Sequence, residues 1–339
     1  MRSTPTLEDV ARKAGVSTAT VSRCLNMPER VVKDTRDRVL RAVEALGYTP
    51  NFGARVMAAK RTFTIGAIIP TMENAIFARG IQAFQEELHR RGYTLLVSST
   101  GYRPGAEEEQ VRTLVGRGAD GLLLIGYDRD PALYDYLDRQ GVPALIAWAH
   151  QPQINRPSIG FDNRAAMAEL AREVLARGHR RIGVISGIAL GNDRAADRLK
   201  GIRDAVRAHG LDPADLTEIQ TPYGIETAER AMETLMQATP RPTAVMCGND
   251  VLAAGALRAA RLMGLSVPQD VSVTGFDDIE LARIVTPALT TVHLPHRDMG
   301  TKAATALIAL VEGAPEVPAA VKLDTVVTLR DSLGPVPAC

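Results

Sequence analysis

The chain has 339 residues, 45% hydrophobic and 23% charged, with a formal net charge of +1 and three cysteines. Cys24, Cys247 and Cys339 are scattered without CxxC spacing, which excludes a disulfide framework and a zinc ribbon and suits a reducing, cytoplasmic setting. No run approaches about 18 apolar residues, and the polar N-terminus lacks the apolar core of a signal peptide, so a membrane span and secretion are not expected.

The charge is unevenly placed. Residues 1–60 hold 11 Lys+Arg against 6 Asp+Glu, a net of +5, which leaves −4 on residues 61–339. A basic head on an acidic body is the footprint of a segment that meets phosphates. Within the head, LEDVARKAGVSTATVSRCLN (7–26) reads as two short helices around a turn. Leu7, Val10, Ala11 and Ala14 form one apolar face. Thr6 is placed to cap the first helix, with Asp9 near the capping-box position. Gly15 breaks the chain, Ser17 caps the second helix, and Val21 and Leu25 face inward. This is either a generic αα-hairpin or a helix-turn-helix whose second helix enters the major groove; the basic charge favours the latter. A third helix at 34–46 turns Val39, Ala42, Val43 and Leu46 inward and stops at Gly47.

TPNFGARVMAAKR (49–61) follows. Pro50 ends the previous helix, Asn51 can cap a next turn, and Gly53 weakens a helix too short to stand alone in water. From Thr64 onward, short apolar runs (TIGAIIP, TLLVSST, GLLLIG, PALIAW, RIGVISG, TAVMCG, VSVTGF) alternate with amphipathic stretches near 75–92, 105–118, 164–178, 193–210, 224–238, 249–264 and 296–312. That alternation predicts parallel sheets covered on both faces, with ligand beyond the carboxyl ends of the strands. Asn74, Ile76 and Phe77 lie after the first such strand, and Asn249 follows TAVMCG.

The segments LEDVARKAGVSTATVSRCLN, TRDRVLRAVEALGYTPN and ARVMAAKRTFTIGAIIP, with GFDD, PALTTVHLP and LRDS further on, resemble the LacI/GalR family of transcription regulators over almost the whole chain. The resemblance implies a helix-turn-helix head (1–48), a hinge helix (49–61) and an α/β core of the periplasmic-binding-protein type I (62–339). The core would be two doubly wound parallel-sheet lobes, the first about 62–160 and 292–322, the second about 161–291 and 323–332, with three chain crossings between them. On family positions Thr18 and Ala19 face bases, Arg23 is placed for a guanine edge, and Thr6, Ser17, Thr20 and Asn26 belong with the DNA contacts that set register. In the hinge, Asn51, Arg55 and Met57 would meet DNA, Met57 standing where a Leu usually wedges into the minor groove; the plainer reading is a flexible tether. Val32 stands where the family usually carries a capping Ser.

In the cleft, Phe77 takes a ligand-stacking position, Trp148 and Phe161 could add walls, Arg198 matches a ligand-gripping Arg and Asp277 a hydroxyl acceptor. Such a set suits a polyhydroxyl ligand; the alternative is that Arg198 and Asp277 form a structural salt bridge. The expectation is a regulator, most simply a repressor, working as a homodimer on a near-palindromic operator. Its effector would be a sugar or sugar acid; a purine co-repressor is the alternative. Pairing is expected to use DVLAAGALRAARLMG (250–264), and PVPAC offers no heptads for a tetramer. A cytoplasmic sugar-binding protein would share the core but not the basic head. An enzyme would need chemistry that is missing: GRGADG (116–121) precedes a strand instead of following one, so it is no dinucleotide fingerprint, and no GxSxG, HExxH or Walker A pattern occurs. His293 and His296 have no third ligand spaced with them, so no metal and no cofactor are expected.

Overall fold

A computed structural model describes residues 5–49, 61–73, 75–103, 105–154, 156–315 and 319–337. The chain divides into two compact units between Thr62 and Phe63. None of the helices among the described residues is long and apolar enough to cross a membrane.

The first unit holds three helices: α1 (Leu7–Ala14), α2 (Thr18–Asn26) and α3 (Lys33–Leu46). Thr6 and Asp9 close a capping box at the start of α1, with Thr6 N donating to Asp9 Oδ2 at 2.9 Å and Asp9 N to Thr6 Oγ1 at 3.3 Å. Gly15 ends α1 at φ +63°, a conformation glycine adopts at no steric cost. Val10, Ala11, Ala14, Val21, Cys24, Val39 and Ala42 interlock as a small core.

The N-terminus of α3 is uncapped. Val32 makes no side-chain hydrogen bond to the helix and is 75% exposed. Val32→Ser should therefore stabilise the head by roughly 1 kcal/mol, read as slower amide exchange along α3 in the full chain. Unchanged exchange would mean that Asp34, in the first turn, already satisfies that end.

The second unit carries two parallel sheets. The larger contains β1 (Thr64–Ile69), β2 (Thr94–Ser99), β3 (Gly121–Ile125), β4 (Ala144–Ala147), β5 (Ser158–Gly160) and, from near the C-terminus, β11 (Ala320–Lys322), in the order β11-β5-β4-β3-β1-β2. One face is covered by α4 (Ala75–Arg90) and α12 (His296–Glu312), the other by α5 (Ala106–Gly116) and α6 (Pro131–Gln140). The smaller sheet has the order β7-β6-β8-β9, made of β6 (Ile182–Gly187), β7 (Thr217–Thr221), β8 (Ala244–Cys247) and β9 (Ser272–Thr274). Helices α7 (Asn163–Ala176) and α8 (Asp193–Ala208) pack on one face of it, α9 (Ile225–Met236) and α10 (Asp250–Leu262) on the other. A short helix, α11 (Leu281–Ile284), precedes an antiparallel pair, β10 (Thr291–His293) with β12 (Val326–Thr328).

Each sheet reverses its strand order once, between β1 and β3 in the larger lobe and between β6 and β8 in the smaller. Open α/β sheets bind ligands at such reversal points, outside the carboxyl ends of the strands. The loops after β1, β3, β6 and β8 are therefore where a site is to be sought.

The sequence expectations missed several elements. Strand β7 (TEIQT) is half-exposed with one apolar side chain, Ile219, so it shows no apolar run. Strands β5, β10, β11 and β12 have three residues each, too few for a pattern. Helix α6 was overlooked although Asp130 caps it, Pro131 opens it and Gly141 closes it at φ +65°, all readable start and stop signals. GRGADG ends α5 and turns into β3, with Gly118 at φ +82°, as its position before a strand implied.

Candidate functional site

The site in the second unit is built around Asp277. It follows β9 and is fully buried, and neither carboxylate oxygen has a hydrogen-bond partner. Its backbone sits at φ +107° and that of Asp278 at φ +51°. Two consecutive non-glycine residues in this region are costly and persist only where the surroundings impose them. Here the surroundings do: Asp277 N donates to Val292 O at 3.0 Å, His296 Nε2 donates to Asp277 O at 3.2 Å, and Asp278 is held by Arg330 at 2.6 Å and His293 at 2.9 Å. The chain thus spends backbone strain to place a bare carboxylate. Burial pushes the Asp277 carboxyl up to about 7, against the opposing pull of Arg198 and Arg194.

Arg198, on α8, faces it. Its Nε donates to Asn163 Oδ1 at 2.9 Å, its Nη1 to Gly248 O at 2.6 Å, and its guanidinium lies over the Phe276 ring, 4.0 Å from the centroid. The remaining Nη2 stands 3.8 Å from Asp277 Oδ1. That is ion-pair range, yet too long for a hydrogen bond, so the two buried groups pair as charges without a direct hydrogen bond. Asn249 caps α10 by accepting from Leu252 N at 2.9 Å, which leaves its buried Nδ2 without a partner. Asp250 is spent on structure: it accepts from Thr291 Oγ1 at 2.6 Å and Ile279 N at 2.9 Å, and burial raises its carboxyl well above the ordinary range. A buried amide donor, a carboxylate without hydrogen-bond partners and one guanidinium nitrogen give the group both donors and acceptors.

The expected aromatic walls lie deeper. Phe77 and Trp148 pack edge to face, with centroids 5.4 Å apart, and both are buried. Trp148 is tied to the polar group through its carbonyl, which accepts from Asn163 Nδ2 at 3.1 Å, while its Nε1 has no partner. Ile76 also lies in the core. Phe161, just past the carboxyl end of β5, has no exposed surface and belongs to the same apolar cluster as Phe77, Trp148 and Phe276. Asn74 lies outside the described residues.

Sequence reading did not find Asn163 or Phe276, which hold Arg198 from two sides, nor a group of bridging side chains. Tyr102, after β2, and Tyr223, after β7, meet with ring centroids 5.7 Å apart. Tyr127, after β3, meets Asp193 and Asp197 of α8. Strand-end position alone pointed to these loops; their pairing across lobes is a tertiary fact.

In the first unit, Ser17 caps α2 by accepting from Thr20 N at 3.1 Å, and its hydroxyl meets that of Thr20 at 2.9 Å. Thr18, Ala19 and Arg23 are exposed, on the arc of α2 away from buried Val21 and Cys24. Thr6 is engaged in its capping box, and Asn26 is the last residue of α2. Asn51, Arg55 and Met57 lie outside the described residues. Helix α10, expected at a dimer interface, buries most of its length against α9 and β8 and exposes Leu262, with Met263 just beyond its end.

Comparison with known proteins gives consistent relatives. A family profile described as "Bacterial regulatory proteins, lacI family" matches residues 6–51, and one described as "Periplasmic binding protein-like domain" matches residues 171–333. The HTH-type transcriptional repressor PurR of Salmonella newport (strain SL254) is 35% identical over 300 residues, 88% of each chain. The Lac repressor dimer bound to operator and the anti-inducer ONPF superposes with a TM-score of 0.86 at 27% identity, covering 98% of this chain and 100% of that one. The transcriptional regulator CelR–cellobiose complex gives 0.69 at 30% identity, covering 97% and 99%.

Proposed function

Since the chain belongs to the lacI family of bacterial regulatory proteins and is a DNA-binding transcriptional regulator under small-molecule control, we propose that its effector is a sugar or sugar acid gripped by Arg198, Asp277 and Asn249. The observation that carries this reading is the buried, unpartnered carboxylate of Asp277 beside Arg198. Adjacent hydroxyls of a sugar donate to such a carboxylate, and sugar oxygens or a sugar carboxylate accept from the guanidinium and amide. The cellobiose complex of a relative supports the ligand class. The PurR relatives keep a purine as the second reading. Thermal-shift screening of sugars, sugar acids and nucleobases separates them, because a ligand that binds only the folded state raises the melting temperature. Stabilisation by nucleobases alone would overturn the sugar reading.

The DNA side of the proposal places Thr18, Ala19 and Arg23 at base edges, and Thr6, Ser17, Thr20 and Asn26 near the backbone. Asn51, Arg55 and Met57 act in a hinge against the minor groove. Two copies pair as a homodimer in the cytoplasm and read a near-palindromic operator; the operator-bound Lac repressor dimer supports that arrangement. The chain carries out no catalysis. Boundaries near 48 and 61, with chain crossings near 159–162, 290–294 and 320–325, complete the proposed domain plan.

The raised carboxyl of Asp277 makes effector binding pH-dependent. Hydroxyl donors favour the ionised form, so the bound complex has a lower Asp277 pKa than the free protein. Affinity is then highest above about 7 and falls as pH drops through it, with a proton released on binding near neutrality. Calorimetry of the screened ligand in buffers of differing ionisation heat checks this; proton uptake, or none, would contradict it.

A further inference from the structure

We infer that the regulator carries its own latch, joining the loop after β3 in the larger lobe to the first turn of α8 in the smaller, which holds the cleft closed before any effector arrives. The inference rests on the reading of the cleft as the effector seat, and it concerns how that seat is regulated.

Three hydrogen bonds cross between the lobes here. Tyr127 N–H donates to Asp193 Oδ2, Tyr127 O–H donates to Asp197 Oδ2, and Arg194 Nη1 donates to Ile125 O at 3.2 Å. Asp193 and Arg194 are buried although they open a helix at a loop junction. The approach is close enough that a side chain at Gly126 would meet both of them.

Each half is fixed by its own lobe. On the larger lobe, buried Arg129 donates to Gly126 O at 2.8 Å and to Ile125 O at 3.2 Å. The same guanidinium is clamped by Glu107 at 3.1 Å and Tyr134 Oη at 2.6 Å. On the smaller lobe, Arg194 occupies Asp193 Oδ1 through both its backbone N, at 2.9 Å, and its Nη1, at 2.7 Å, leaving Oδ2 for the opposite lobe. Two rigid, complementary halves need little ordering to join, so closure loses little conformational entropy. The tilted Tyr102–Tyr223 ring contact, with Tyr223 Oη held by Asn192 Nδ2 at 3.3 Å, and the Arg79–Glu280 ion pair add to the same bias.

The consequence is energetic. A ligand shifts an equilibrium only by its differential affinity for the two states. With closure already favoured by protein–protein bonds, effector binding energy need not supply it. The latch therefore sets the effector concentration at which the switch turns.

Two neighbouring amides provide the test. Gly126 N–H donates to Ala147 O at 2.9 Å, within the larger lobe, whereas Tyr127 N–H donates across the cleft. Residue-resolved hydrogen exchange on the effector-free full chain should show both amides protected. Tyr127→Phe, which keeps the amide and removes the hydroxyl bond to Asp197, should speed exchange at position 127 roughly tenfold and leave Gly126 unchanged. Asp193→Ala should speed it further. Exchange at Tyr127 as fast as in an open loop would overturn the latch. So would both variants leaving position 127 unmoved, or Gly126 accelerating in step, which marks loosening of the lobe. No ligand enters the measurement, so a failed effector screen leaves this result standing.

Discussion

Arg198→Ala should leave operator binding within a few-fold of the parent and abolish the response to effector. The side chain lies in the second unit, remote in sequence from the head. Its guanidinium rests on Phe276 with Nη2 turned toward the Asp277 carboxylate, where it can also meet an incoming oxygen. Its loss also strands Gly248 O and leaves the buried Asp277 without its nearest positive charge. Removing one partner of a buried pair costs about 3–5 kcal/mol, so the variant should melt several degrees lower. Thermal melting, operator gel shifts and effector titrations on the same preparation separate the two effects. Arg198→Lys is the informative companion: it keeps the charge but loses the fork that reaches Asn163 and Gly248 together, so a partial response is expected. A full effector response in Arg198→Ala would remove this residue from the site.

Arg23→Ala should cost about 1–3 kcal/mol on operator DNA and much less on random DNA, a loss of discrimination of roughly 5- to 150-fold. Arg23 is exposed on α2, one turn beyond Thr18 and Ala19, while Val21 and Cys24 fix the opposite face in the core of the head. A base contact is lost only where the right base stands opposite it; a phosphate contact is lost everywhere. Competition gel shifts at two salt concentrations decide. Equal losses on both DNAs, with a salt slope reduced by about one, would make Arg23 a backbone contact.

The head was legible nearly to the residue, because capping chemistry and helical spacing are local. Thr6, Asp9, Gly15, Ser17 and Gly47 each do in the structure what their residue type permits, and Val32 leaves α3 uncapped as its side chain requires. The fold class of the core followed from strand–helix alternation for the same reason. What could not be read was polar and short. Edge strand β7 has little apolar side chain to bury, and β5 and β11 pair with each other although about 160 residues separate them in the chain. In the site, Arg198 and Asp277 entered by family position and Asn249 by following a strand. Their physical state, one carboxylate unfilled and one amide half-used, came only from packing. Phe161 shows why an aromatic near a crossing is hard to read: its burial in one cluster with Phe77, Trp148 and Phe276 is a product of packing that residue type alone does not reveal.

The larger lobe is not contiguous in the chain. Its sheet opens with β1 at Thr64 but takes its last strand, β11, from Ala320–Lys322, and α12, at 296–312, covers the face that α4 shares. The smaller lobe likewise borrows Ser332, whose carbonyl accepts from Val273 N at 2.9 Å. On a ribosome the head emerges first and its local contacts let it form early. The larger lobe must wait, with the apolar side of α4 bare, until almost the entire message has been read. Nascent chains stalled before α12 should therefore engage holdase chaperones, and a product truncated there should lack a working cleft.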